Sequence, residues 1–265
     1  MMPFIHIGPI TIASYGLCVG IAMLISYFVL ARDVARRGIE APADLLVAVP
    51  CIAGLVGAKL YHVLEDPRLL MANPRELISQ YGFAWFGGFL GGLIAFVLLA
   101  LHYRVPLLEM FDAASPAAAL GYGLGRIGCL VSGDGDYGIP TSLPWGMSFP
   151  HGLVPTTQRV HPTPIYELIV AILIFWWLWK LGGRQAAPRG GPKAKLGAAI
   201  PRGTVFAWYL ILTGVARFLV EFIRINPRIY WGMTNAQVAS LGSIAAGILL
   251  IVWARRHSTT ASAAE

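Results

Sequence analysis

Apolar runs of about 20 residues, the length that crosses a bilayer as a helix, recur along this chain. They cover residues 10–31, 44–64, 83–101, 110–132, 163–181, 204–223 and 234–254. A backbone in lipid has no water to bond, so each run is predicted to satisfy its own hydrogen bonds as a helix. The run at 83–101 carries no charge, whereas that at 110–132 is rich in Ala and Gly and carries Asp112 and Arg126. Only 12% of the 265 residues are charged and 57% are hydrophobic, against about 25% charged in a soluble domain. That balance excludes a water-soluble enzyme. It predicts an all-α polytopic protein with seven transmembrane helices, forming a single integral membrane domain over residues 1–265.

Seven spans put the termini on opposite sides, and the placement of Lys and Arg decides which is which. After the first, third and fifth runs and beyond the seventh stand Arg32, Arg36, Arg37, Arg104, Lys180, Arg184, Arg189, Lys193, Lys195, Arg202, Arg255 and Arg256. The opposite connections hold only Arg68, Arg75, Arg159, Arg224 and Arg228. The N-terminus is therefore expected outside and the C-terminus in the cytoplasm, with residues 133–162 as an outer loop and 182–201 as a basic cytoplasmic linker near anionic headgroups. The opening segment lacks a positive n-region and a small-residue cleavage site, so the first run is expected to be retained. Topology also accounts for the formal charge of +7; no nucleic-acid motif accompanies it, and no nucleic acid is expected as a partner. Cys18, Cys51 and Cys129 show neither CxxC nor Cys/His spacing, which gives no support to a disulfide framework or a zinc site.

An ionisable group inside a span costs at least about 2.5 kcal/mol on insertion scales, so it needs a partner or a task. Lys59 with His62, Asp112, Arg126, Glu167, and Arg217 with Glu221 all qualify. The i, i+4 spacing of Arg217 and Glu221 puts them on one helical face, where they can pair as a structural salt bridge. Two guanidiniums from neighbouring spans, both in the outer half, can instead hold a phosphate at the membrane surface. Gly87, Gly88, Gly91 and Gly92 form two overlapping GxxxG pairs. Close helix packing explains them, and room for an acyl chain or glycerol moiety is the sharper alternative. Gly123-Leu124-Gly125-Arg126-Ile127-Gly128 matches GxGxxG, but no βαβ unit surrounds it and a nucleotide site is rejected. Gly133-Asp134-Gly135-Asp136-Tyr137-Gly138 is either a plain turn or a carboxylate-bearing part of the site, and His161-Pro162-Thr163 suits a helix start as well as a site.

Taken in order, Ser14-Tyr15-Gly16, the glycine-rich 85–92, Asp112 with Pro116, Gly125-Arg126-Ile127-Gly128 and Tyr137-Gly138 form a pattern. It continues through His161-Pro162-Thr163 with Tyr166-Glu167, then Arg217-Phe218 with Glu221-Phe222 and Arg224. This pattern resembles the prolipoprotein diacylglyceryl transferases of the bacterial inner membrane, across residues 8–250. The resemblance implies transfer of a diacylglyceryl group from phosphatidylglycerol to the lipobox cysteine thiol of a prolipoprotein, giving a thioether and releasing glycerol phosphate. It implies membrane lipids as surroundings and no cofactor or metal. Arg126 and Arg217 would stabilise the developing thiolate and the departing phosphate. Glu221 would orient Arg217, and Tyr15 and Tyr137 would bond the headgroup. Gly87, Gly88, Asp134, Asp136, Gly138, His161, Tyr166, Glu167 and His62 would line the substrates.

The chain also departs from that family. Phe86 stands where many members carry a histidine often proposed as proton acceptor, Cys129 and Ser132 replace two amides, and Lys59 replaces a common arginine. His62, His161, Asp134 and Asp136 are the alternative bases, unless the arginines lower the thiol pKa enough to need none. A paralogue with another acceptor and a non-enzymatic transporter are the competing readings. Ionisable groups gathered toward one leaflet favour an enzyme, and groups spread through the depth favour transport.

Overall fold

A computed structural model describes residues 1–66, 68, 84–185 and 200–262. Arg75, Arg189, Lys193 and Lys195 of the topology argument, and residues 186–199 of the basic linker, lie outside the described residues. The described chain is mostly helical. Its helices are α1 (Ser14–Arg37), α2 (Ala43–Glu65), α3 (Trp85–His102), α4 (Leu107–Ser132), α5 (Thr163–Gln185), α6 (Thr204–Val220) and α7 (Asn235–Ser262). Four of them, α1, α2, α5 and residues 235–256 of α7, are long and apolar enough to cross a membrane. The apolar stretches of α3 and α6 are shorter, and α4 is long but diluted by Ala, Gly and the charges of Glu109, Asp112 and Arg126.

The all-α expectation needs one amendment. Three antiparallel two-stranded hairpins accompany the helices: β1 (Phe4–Ile7) with β2 (Ile10–Ala13), β3 (Met147–Phe149) with β4 (Thr156–Val160), and β5 (Arg228–Tyr230) with β6 (Met233–Thr234). Residues 10–13, read above as the start of the first span, are thus a strand. Ile10, Thr11 and Ile12 are all β-branched, which suits a strand, and the segment pairs with Phe4–Ile7 across Gly8, whose φ of +59° suits a tight turn.

The chain forms two compact units, residues 38–110 and residues 1–37 with 111–265. In the first, α2 and α3 meet through their glycines. A Cβ added to Gly91 would stand 2.5 Å from the Ala53 carbonyl oxygen, and one on Gly88 would touch the Ala58 Cβ at 3.4 Å. Gly87 and Gly88 thus lie in the contact between the two helices, as close packing requires. The start of α3 is also tied to α2 by the Ala84 N–H donating to the Ala58 carbonyl at 3.0 Å. Ile52, Leu55, Leu64, Phe89 and Leu98 remain exposed, an apolar exterior suited to lipid.

In the second unit, Gly123 lets α4 approach Ala171 of α5, and Gly214 and Gly247 let α6 and α7 cross closely. Ala119, Ile174, Leu178 and Val205 form its apolar centre. The buried Asp112 carboxylate accepts the N–H groups of Gly203 (2.6 Å) and Phe206 (2.7 Å) and the Gln185 amide (2.7 Å). It caps α6 from the side, because the N-cap residue Gly203 has no side chain to do so. Gln185 in turn accepts from Arg37, which pairs with the buried Asp33, so one polar network joins α1, α4, α5 and α6. Thr234 and Gln237 cap α7 reciprocally, each side chain serving the other's backbone N–H at 3.1 and 3.0 Å.

Replacing Gly91 by Val should destabilise the protein by about 1–3 kcal/mol through overpacking against Ala53. Gly20→Ala, where an added Cβ meets nothing within 4 Å, should change stability by less than about 0.5 kcal/mol. Thermal unfolding of the two purified variants in detergent checks the contrast.

Candidate active site

At the end of α4 remote from Asp112, the second unit gathers three arginines and three carboxylates. Arg126 comes from the last turns of α4, Glu167 from the first turns of α5, and Arg217, Glu221 and Arg224 from α6 and the turn that follows it. Asp136 comes from the segment that joins α4 to α5. Arg217 is the last of the cluster's groups within α6, Glu221 is the C-cap residue of that helix, and Arg224 lies beyond it in a bridge with Gly138.

Glu167 is the centre of the group. Its carboxylate lies 3.0 Å from Arg217 Nη1, 3.4 Å from Arg224 Nη1 and 3.6 Å from Arg126 Nε, and accepts the Tyr122 hydroxyl at 2.5 Å. Tyr122, one helical turn before Arg126, also lays its ring under that guanidinium at 4.6 Å. Glu221 is fully buried and accepts from Arg217 (2.6 Å), Asn226 (2.9 Å) and Thr234 (2.9 Å), with Arg224 Nε 3.4 Å away. Asp136 bridges two arginines, one carboxylate oxygen on Arg126 Nη1 and the other on Arg224 Nη2. Burial pushes the Asp136 carboxyl up, but Arg224 and Arg126 outweigh it and hold the group below the usual carboxylate range. Asp136 is therefore ionised at neutral pH. The stability its ion pairs supply is complete above the unfolded pKa of about 3.9 and fades as pH falls through the lower folded value.

Backbone geometry holds these groups in place. Gly133 (φ +61°) and Gly135 (φ +94°) take left-handed conformations that turn the chain out of α4. The Asp134 side chain accepts the Asp136 N–H at 3.2 Å, so this carboxylate shapes the turn while Asp136 enters the ion pairs. Gly138 abuts the carbonyl of Ile223, and Ile139 N–H donates to that carbonyl at 2.8 Å. The buried Thr163 hydroxyl donates to the Asp136 carbonyl, which fastens the segment to the start of α5.

The remaining sequence-derived candidates fall around this cluster or away from it. Tyr15 is exposed and its ring lies against Gly128 of α4. His161 Nδ1 is 3.3 Å from the Tyr166 hydroxyl, which accepts Trp145 Nε1 at 2.8 Å. Tyr137 is buried, stacked on Phe149, and donates its hydroxyl to the Val154 carbonyl at 3.2 Å, within the small core of the segment between α4 and α5. His62, Gly87 and Gly88 belong to residues 38–110, a separate unit. Sequence reasoning did not assign Tyr122, Asn226 or Thr234 to the site, and it counted Arg224 as an outer-loop charge. The turn spacing of Tyr122 to Arg126 and of Glu221 to Arg224 carried a signal. Asn226 and Thr234 reach Glu221 only through tertiary structure.

Cys129, Asp134 and Asp136 bring donor atoms within 4.8 Å of one another. Both Asp136 oxygens already face guanidiniums, whose charge opposes a metal cation there. A cluster of guanidiniums and carboxylates in a low-dielectric setting is instead suited to an anion and to proton exchange.

Comparison with known sequences adds a separate finding. Residues 3–253 match the family described as prolipoprotein diacylglyceryl transferase. Proteins named phosphatidylglycerol–prolipoprotein diacylglyceryl transferase from Synechococcus elongatus, Clostridium tetani and Cupriavidus metallidurans are 30%, 33% and 32% identical to this chain. The alignments cover 94%, 90% and 98% of this chain and 86%, 92% and 95% of those proteins.

Gly138→Ala should cut turnover at least about 10-fold while the protein stays folded. The new Cβ would stand 3.0 Å from the His161 Cβ and 3.1 Å from the Thr163 Cγ2, and relief must shift the backbone that carries Asp136. Parallel measurement of turnover and thermal unfolding separates loss of geometry from loss of fold.

Proposed function

Because this chain belongs to the prolipoprotein diacylglyceryl transferase family, we propose that the arginine–carboxylate cluster is where it transfers diacylglycerol from phosphatidylglycerol to a prolipoprotein thiol. The observation that carries this reading is the set of three guanidiniums gathered around one buried carboxylate. A phosphate diester is a poor leaving group unless the charge gathering on its oxygens is stabilised, and preorganised guanidiniums supply that stabilisation without reorganising during the reaction. Arg126 and Arg217 take the phosphate, and Arg224 joins them. Glu167, Glu221 and Tyr122 fix the directions of the guanidiniums. The attacking sulfur belongs to the lipobox peptide. A C–S bond forms at the glyceryl carbon as its C–O bond to phosphate breaks, and glycerol phosphate departs.

Tyr15, exposed beside Gly128, is placed to meet the headgroup, and His161 with Tyr166 borders the same outer segment. The seven helices act as seven spans of one domain in the bacterial inner membrane, with the N-terminus and residues 133–162 outside and the C-terminus and residues 182–201 in the cytoplasm. Asp112 is bonded by two backbone N–H groups and the Gln185 amide, so it caps a helix rather than lining a path, and the remaining charges gather at one end, which favours the enzyme. Asp112 and Arg126 lie about 21 Å apart along α4 at 1.5 Å per residue. Ala119, between them, belongs to the apolar centre of its unit.

Mass spectrometry of a lipobox peptide incubated with the purified protein and phosphatidylglycerol should show a thioether-linked diacylglyceryl group, absent from a peptide with Ser in place of the Cys. Unmodified cysteine peptide in a folded preparation that binds phosphatidylglycerol overturns the reading. Arg126→Ala and Arg217→Ala should each lower turnover at least about 10²-fold, and near-normal rates in both would sink the phosphate-stabilisation mechanism.

A further inference from the structure

The charges of the cluster balance before any substrate arrives. Arg126, Arg217 and Arg224 face Asp136, Glu167 and Glu221, three cations to three anions. A phosphodiester entering this group would leave an uncompensated negative charge in a poorly solvated place, which is costly. One carboxylate must yield, and the three differ in how firmly they are held. Glu221 is also bonded by Asn226 and Thr234, Glu167 is also bonded by Tyr122, and their side chains are 0% and 5% exposed. The Asp136 side chain is 30% exposed and, among the described residues, its ion-pair partners are the two arginines.

The two Asp136 oxygens, each bonded by a different guanidinium, occupy the positions that two phosphate oxygens would take. Its backbone is anchored by Thr163 and, at 3.4 Å, Arg224 Nη1 on the carbonyl and by Asp134 on the N–H. Rotation about its own χ1 can therefore free the carboxylate without moving the loop. Resting on the transferase reading above, we propose that Asp136 is a resident substitute for the substrate phosphate, displaced when phosphatidylglycerol binds and thereby released to accept the lipobox thiol proton.

The exchange makes the base available only when the leaving group is in place. Between Arg126 and Arg224 the carboxylate is a weak base, and away from them its basicity recovers. The Cys129 thiol and the Asp134 carboxylate lie beside it, their donor atoms and its own within 4.8 Å of one another. In the step itself the thiol proton passes to an Asp136 oxygen, sulfur bonds to the glyceryl carbon, and the bonding pair of the C–O bond leaves with glycerol phosphate. The departing phosphate then carries one more negative charge than the diester did, held by Arg126, Arg217 and Arg224.

The test compares wild type, Asp136→Asn and Asp136→Glu in the peptide assay, with phosphatidylglycerol binding measured by native mass spectrometry and folding by thermal unfolding. Asp136→Asn should bind phosphatidylglycerol as well as wild type or more tightly, because the competing anion is gone. Its kcat should fall at least about 10²-fold. Its residual rate should climb with pH toward the ionisation of the thiol near about 8.5, where preformed thiolate needs no base. Asp136→Glu should keep turnover within about 10-fold of wild type, since the carboxylate survives. Weaker lipid binding by Asp136→Asn with kcat unchanged would mean that Asp136 only organises the arginines, and would overturn the proposal. Full activity of Asp136→Asn would overturn it as well. Failure of the wild type to modify the peptide would instead count against the transferase reading.

Discussion

A charge taken out of water must find an opposite charge or a dense set of hydrogen bonds, and this requirement organises the larger unit of the protein. Glu167 is its clearest case. Only 5% of its side chain is exposed, and it faces Arg126, Arg217 and Arg224 while accepting the Tyr122 hydroxyl. Those partners come from α4 and from the end of α6, so meeting the needs of one carboxylate fixes the relative positions of three helices. Glu221 extends the network through Thr234 to the cap of α7. The scaffold and the reactive group are therefore built from the same bonds.

The same logic operates at the other end of α4 with a different result. Asp112 meets backbone N–H groups at the start of α6 and the amide of Gln185, and Asp33 meets Arg36 and Arg37. These groups satisfy one another and the ends of helices. The site cluster differs because one of its anions, Asp136, is held by two arginine ion pairs and is 30% exposed. In the proposed mechanism, exchangeability rather than the number of charges separates this cluster from the one around Asp112.

Between the polar ends the helices rely on small residues. Gly54, Gly57, Gly87 and Gly91 let α2 and α3 approach backbone to backbone, and Gly214 and Gly247 do the same for α6 and α7. Where lipid tails are as apolar as the side chains, close van der Waals contact replaces the hydrophobic effect as the source of helix association. Glycine is required there for lack of a side chain, whereas at 133 and 135 it is required for a left-handed backbone.

The sequence by itself determined the helices, because apolar runs of bilayer length admit no other local solution. It also singled out Arg126, Glu167, Arg217 and Glu221, since charges are so costly in such runs that each asks for a reason. It did not disclose the three hairpins, whose short strands are too brief to stand out against apolar runs. Nor did it choose between Asp134 and Asp136, two residues apart in one glycine-rich turn. That choice was made by the left-handed glycines and by Thr163, which turn one carboxylate back on the loop and the other toward two arginines. Asn226, Thr234 and Tyr122 entered for the same reason. Local sequence sets which groups need partners, but which partner each one meets depends on how helices distant in sequence are brought side by side.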